Sequence, residues 1–177
     1  MLVLLVVTKA HTQTFQANFT SGCAPLGVVI SVTAPAPGSI SSYNWQITTP
    51  AGTILTSSSA QYIAIFTQPG SYDVSLTING NQTTTVQDYI NVHSLPTANF
   101  TVSDPSGCFP LCVGFTDTST PGDGQIVEWS WDFGDGGSST QQNPNYCYTQ
   151  TGTFTPVFSI QDEYGCYDDI TIPGMIS

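Results

Sequence analysis

The chain has 177 residues, of which 40% are hydrophobic and only 7% charged, against about a quarter charged in an ordinary soluble domain. Twelve acidic residues face a single base, Lys9, giving a formal net charge of −11. That balance excludes a nucleic-acid partner, which needs several Lys or Arg to displace phosphate counterions, and disfavours an anionic membrane surface.

Taken in chain order, the first feature is the apolar run Leu2, Val3, Leu4, Leu5, Val6 and Val7. It is too short to span a bilayer, so the chain is not expected to be an integral membrane protein. It reads either as part of a secretory signal or as a β-strand exchanged with a neighbouring copy, and residues 1–14 are set apart on that account.

An internal repeat follows. Ala17-Asn18-Phe19-Thr20 recurs as Ala98-Asn99-Phe100-Thr101, and Gly22-Cys23-Ala24-Pro25-Leu26 as Gly107-Cys108-Phe109-Pro110-Leu111. Tyr43-Asn44-Trp45-Gln46-Ile47 matches Trp129-Ser130-Trp131-Asp132-Phe133, and Phe66 to Tyr72 matches Tyr148 to Phe154. The offsets of 81 to 86 residues predict two modules, 15–93 and 97–177, joined by a short linker at 94–96.

Within each module, alternating apolar residues predict strands: Val28-Ile30-Val32, Tyr43-Trp45-Ile47, Tyr62-Ala64-Phe66 and Tyr72-Val74-Leu76-Ile78 in the first. The second has Val127-Trp129-Trp131-Phe133 and Phe154-Pro156-Phe158-Ile160. Asn79-Gly80 and Gly134-Asp135-Gly136-Gly137 supply turn chemistry. Short strands separated by such turns imply an all-β fold of two tandem immunoglobulin-like β-sandwiches.

The run Trp129-Ser130-Trp131-Asp132-Phe133-Gly134-Asp135-Gly136, then Asn143-Pro144, Tyr148, Gly152 and Phe154, resembles the polycystic-kidney-disease (PKD) family. The family's pattern is W-x-F-G-D-G, N-P-x-H-x-Y and G-x-Y. The resemblance covers about residues 97–173 and extends more weakly to 15–93, where Trp45 is retained but Thr48 to Gly52 replaces the F-G-D-G segment. It implies an immunoglobulin-type sandwich displayed outside the cell as a spacer, adhesive or carbohydrate-contacting module. Tyr146 stands where the family has His, so any role of that imidazole is lost. Trp131 and Phe133, two apart on a strand, should share the core face, and Asp135 should accept backbone hydrogen bonds within its turn.

Five cysteines with no CxxC pair read as disulfides of an oxidising compartment, hence an extracellular or cell-surface protein. The resemblance implies a Cys108–Cys166 staple and then Cys112–Cys147, although four cysteines permit three connectivities. Cys23 is then unpaired, either a buried thiol or a bond to another chain. Asp117, Asp123 and Asp162, drawn from loops, suit calcium or are solvated turn residues. Sequons at Asn18, Asn81 and Asn99 permit glycosylation.

No enzyme is expected: His11 and His93 fall in the leader and linker, and no nucleophile elbow or His-x-x-x-His pair occurs. Three functions remain. A structural or adhesive protein would polymerise head to tail into a surface filament through Leu2–Val7 and poorly defended strand edges. A polysaccharide-binding module would stack sugars on Tyr43, Tyr62 or Tyr89. A passive spacer would belong to a larger secreted protein.

Overall fold

A computed structural model describes residues 15–33 and 40–177; the apolar run Leu2–Val7 lies outside the described residues. The described residues form fifteen β-strands and no helix, consistent with a sequence whose apolar residues recur at period two and whose β-branched residues fit a pleated, half-buried surface.

The chain divides into two compact units. One comprises the stretch through Thr20, with Gly27–Phe66 and Ser71–Asn91; the other comprises Ser21–Leu26, Thr67–Gly70 and Val92–Ser177. This division departs from the repeat, because short pieces of the first repeat, including Cys23, pack within the second unit. Residues 94–96, expected as a linker, also belong there: Pro96 is buried and Thr97 forms a bridge with Thr120.

The first unit is built on two sheets. The smaller has the order β1 (Phe15–Ala17), β3 (Leu26–Val32), β6 (Gln61–Phe66). The larger has the order β8 (Gln82–His93), β7 (Gly70–Ile78), β4 (Tyr43–Thr48), β5 (Ile54–Ser57); β2 (Ser21–Cys23), hydrogen-bonded to β8, belongs to the second unit. Inward residues alternate as the sequence predicts, and Val28, Ile30, Trp45, Ile47, Tyr62, Phe66, Tyr72, Val74, Leu76 and Ile78 form the core. At the β7–β8 hairpin, Asn79 and Gly80 have φ of 53° and 71°, the pair of left-handed positions that an Asn-Gly hairpin turn requires.

The second unit repeats the plan. One sheet runs β13 (Asn145–Tyr148), β10 (Leu111–Asp117), β9 (Phe100–Val102); the other runs β12 (Ser138–Ser139), β11 (Ile126–Asp132), β14 (Val157–Asp162), β15 (Tyr167–Thr171). Phe100, Phe115, Trp131, Phe133, Tyr148, Phe158 and Ile160 fill the space between them. One predicted inward residue is misplaced. The β11–β14 register shifts between Ile126 and Glu128, and Val127 is left half exposed while Ile126 packs on the core. A bulge adds one residue to one strand and so reverses the facing of its neighbours. The repeat extends to backbone detail, for Ala24-Pro25 and Phe109-Pro110, at matched positions, are both cis.

Candidate functional site

The W-x-F-G-D-G segment begins at the end of β11. Trp131 is buried, its indole Nε1 donates to the Gln141 carbonyl at 2.9 Å, and its ring stacks on Phe158 at 3.8 Å. Trp45 does the same in the first unit, donating to the Ser59 carbonyl at 2.9 Å and meeting Phe15 edge-on at 5.6 Å. In both units the indole fills a core and its one donor is satisfied by the chain that follows the strand, as a buried Trp requires.

Past Trp131 the chain reverses through two successive side-chain-to-backbone turns. Asp132 Oδ1 accepts from Gly134 N at 2.8 Å, and Asp135 Oδ1 from Gly137 N at 3.0 Å. Gly134 has φ of 84°, and a Cβ there would lie 2.8 Å from both N and O of Thr155; conformation and space both demand glycine. Gly136, at φ 94°, is needed for conformation alone, since nothing approaches within 4 Å.

Tyr146, at the position of the family's His, donates its hydroxyl to Asp135 at 2.9 and 3.0 Å and stacks on Phe133 at 4.0 Å. The phenol thus fastens the turn to β13. Burial and the adjacent Asp135 carboxylate both push its pKa above the ordinary tyrosine value. Tyr148 is fully buried and donates to the Phe133 carbonyl at 3.0 Å; burial, then the nearby Asp135 charge, raise it far more. Asn143 Oδ1 accepts from Asp117 N at 2.8 Å, and the Pro144 carbonyl accepts from Phe115 N at 2.9 Å. Gly152 is exposed on the loop before Phe154. Gly152 apart, each of these groups is bonded to backbone or to the carboxylate of the turn.

Trp129 is half buried and donates Nε1 to Asp117 Oδ2 at 2.8 Å, an oxygen shared with Gln142 Nε2 at 3.1 Å; Asp117 Oδ1 accepts from Ser119 N at 2.8 Å. Burial alone would raise the Asp117 pKa, but the bonds from Ser119, Gln142 and Trp129 outweigh it and hold the carboxyl below its ordinary value. Asp123 accepts from Ser94 N at 2.6 Å and from the Ser94 hydroxyl. Asp162 is buried; its Oδ1 accepts from Tyr164 N at 2.9 Å and Cys166 N at 2.8 Å, while Oδ2 has no hydrogen-bond partner. The proposed calcium ligands are therefore engaged separately, and among the described residues no three His, Cys, Asp or Glu side chains come together as a metal site would need.

The cysteines require a correction. Cys166 bonds to Cys23, not to Cys108, with Cα atoms 5.5 Å apart. Cys108 is exposed and free, and Cys112 is joined to Cys147, its direct partner in the β10–β13 register. The reason lies in strand pairing. Ala24 N donates to the His93 carbonyl at 2.8 Å, so the Ser21–Leu26 segment packs within the second unit, in reach of the turn after β14. The bond links residues of different repeats, so no pattern within a single repeat signals it.

His93 is likewise more than a linker residue. Its ring stacks on Tyr164 at 3.8 Å and 13°, Nε2 is 2.9 Å from Ser21 Oγ, and Nδ1 is 3.3 Å from Asp123 Oδ2. The order Ser, His, Asp is that of an acyl-transfer relay. Here Asp123 clasps Ser94 instead, accepting from its backbone N, and Ser21 sits on the strand that carries Cys23. We therefore read it as a clasp around the Cys23–Cys166 bond.

The tyrosines expected to stack on sugars do not present themselves. Tyr62 is buried in the core, and Tyr89, half buried, meets Phe15 edge-on and accepts a bond from Ala17 N at 2.9 Å. Tyr43 is also half buried, in β4. Tyr167 of the second unit is 68% accessible and borders a groove of 410 Å³ with Trp129, Glu128, Ser130, Thr140 and Gln161. Asn18, Asn81 and Asn99 are all exposed, although Asn18 Oδ1 accepts from Val29 N at 2.8 Å and Asn99 Oδ1 from Phe100 N at 2.9 Å.

Comparison with known proteins agrees with this architecture. Residues 94–173 match the PKD domain family model. Over 58 residues, 33% of this chain, it is 38% identical to pre-pro-metalloprotease PrtV of Vibrio cholerae, and over 50 residues, 28% of the chain, 40% identical to collagenase ColQ1 of Bacillus cereus. These stretches are 6% and 5% of those proteins. A solved C-terminal fragment of intimin, in complex with the intimin-binding domain of its translocated receptor, superposes with a TM-score of 0.56 at 12% identity, covering 90% of this chain and 62% of that one; this likeness is one of fold. Over residues 94–173, the chain is similar to the PKD-domain family.

Proposed function

We propose that this chain is a non-catalytic accessory module of a larger extracellular protein, a disulfide-braced spacer. One observation carries the reading. Stretches of 58 and 50 residues of the chain align with 6% of a metalloprotease and 5% of a collagenase, and the motif residues of the PKD-matching segment hold the turn and its neighbouring strands. Two disulfides suit an oxidising compartment. An antibody against residues 94–173 tests this in the source cells. A band in the medium much larger than 18.8 kDa is expected, and a reduced, cytosolic species would overturn the reading.

A second reading, contact with a neutral polysaccharide, is favoured by the Tyr167 groove. An exposed ring beside Glu128, Gln161 and serine hydroxyls offers a stacking face with hydrogen-bonding groups around it, and the scarcity of basic residues disfavours anionic glycans. Sedimentation with insoluble neutral glycans should deplete the wild type and not Tyr167→Ala; equal behaviour of the two removes this reading. Head-to-tail polymerisation through Leu2–Val7 remains a finer proposal resting on the sequence of that segment.

A further inference from the structure

The largest concentration of exposed apolar side chains lies in residues 54–66 of the first unit. Ile63 and Ile65 are 70% and 69% accessible, and Ile54 and Leu55 are also exposed. β6, which carries the first two, is an edge strand of its sheet: it pairs with β3 on one side, and among the described residues no strand pairs on the other. Its backbone N–H and C=O groups on that side form a ready template for another strand. Soluble proteins usually blunt such edges with Lys, Pro or an inward-pointing charge. Residues 54–66, Ile-Leu-Thr-Ser-Ser-Ser-Ala-Gln-Tyr-Ile-Ala-Ile-Phe, contain no charge, no proline and no glycine, the composition that favours strand-to-strand association.

We propose that β6 is a homotypic interface, at which a second copy of this chain pairs edge to edge in antiparallel register about a two-fold axis through Ala64. The strand is self-complementary about that residue. Ile63 of one copy stands opposite Ile65 of the other, and Tyr62 opposite Phe66, so that outward residues meet outward residues and core residues meet core residues. The pleat is preserved across the junction, and the two three-stranded sheets become one continuous sheet. On its outer face the four isoleucines form adjacent cross-strand pairs, the kind of β-branched contact that stabilises sheets. A two-fold axis makes the contact closed, so it yields a dimer and not a fibre.

Charge selects the same place and the same partner. Two copies of a chain with net charge −11 repel one another, but ten of the twelve acids lie between Asp104 and Asp169, and the first repeat holds only Asp73 and Asp88. Neither is on β6. The strand offers a second copy an uncharged approach, while it offers a basic partner nothing to bind. This inference stands independently of the accessory-module reading.

The test uses the full chain with Cys108→Ser, which removes intermolecular disulfides through the exposed free thiol. Sedimentation equilibrium from roughly 10 μM to 1 mM should show a monomer–dimer equilibrium. Adding Ile63→Lys with Ile65→Lys sets like charges opposite each other and should weaken dimerisation at least about tenfold. Adding Ile63→Lys with Ile65→Glu sets opposite charges opposite each other in this register and should restore much of the association, in a salt-sensitive way. Because both positions are exposed, thermal midpoints of the three proteins, taken at a concentration where all are monomeric, should agree, which separates lost pairing from lost folding. A parent that stays monomeric throughout, or Lys/Lys and Lys/Glu variants that dimerise alike, would overturn the proposal.

Discussion

Cys23 is bonded to Cys166 across a sequence separation of 143, and groups beside the bond hold β2 and the turn after β14 in place. His93 touches Ser21 and Asp123 through its two ring nitrogens and stacks on Tyr164, while Asp162 accepts from Cys166 N. A cross-link closing so long a loop removes much of the entropy of the unfolded chain. Replacing both Cys23 and Cys166 with Ala should cost roughly 2–5 kcal/mol, read as a fall in the denaturant midpoint. Cys108→Ala, at an exposed free thiol, should stay within about 0.5 kcal/mol of the parent.

Gly134 and Gly136 separate two causes of glycine dependence. Gly134→Ala forces a Cβ against the Thr155 backbone at an already left-handed position, and should cost more than about 2 kcal/mol. Gly136→Ala meets only the conformational penalty, of about 1 kcal/mol. Equal losses in equilibrium unfolding would contradict the assignment.

Trp131→Phe keeps a ring in the core but leaves the Gln141 carbonyl without its donor and a void beside Phe158. A loss of roughly 1–3 kcal/mol is expected. Trp131→Ala should cost about 3–5 kcal/mol, and Trp45→Ala a comparable amount, since both indoles are buried and bonded alike.

The Asp117 carboxyl, held below its ordinary value by donated hydrogen bonds, contributes stability that is present above the unfolded pKa near 3.8. That contribution is lost as the pH falls through the lower folded value. Asp117→Asn should therefore flatten the acid limb of the stability–pH curve below about pH 4. Tyr148 acts at the other end. Its raised pKa favours the neutral phenol in the fold, so its contribution is whole below pH 10 and is lost as the pH rises above that. Tyr148→Phe should remove this alkaline dependence while losing the bond to the Phe133 carbonyl.

Much of the fold was legible because period-two patterning reports burial directly: Tyr72, Val74, Leu76 and Ile78 point inward on β7 as their spacing implies. Trp45, Trp131 and the Gly134 turn were legible because each residue type has few other uses. What escaped was set by pairing between distant segments. Val127 reads as an inward residue until a bulge shifts it. The Cys23–Cys166 bond and the His93 clasp depend on where β2 lies, and no local pattern encodes that position. Asp117, Asp123 and Asp162 share a residue type suited to a cation, but each has its own backbone or indole partner.

Disulfide mapping tests the arrangement of this molecule most directly. Digestion of the non-reduced, alkylated protein followed by mass spectrometry should yield a peptide pair linking Cys23 to Cys166, a second linking Cys112 to Cys147, and Cys108 alkylated. A Cys108–Cys166 peptide with alkylated Cys23 would contradict the placement of Ser21–Leu26 within the second unit, and with it the account of the clasp.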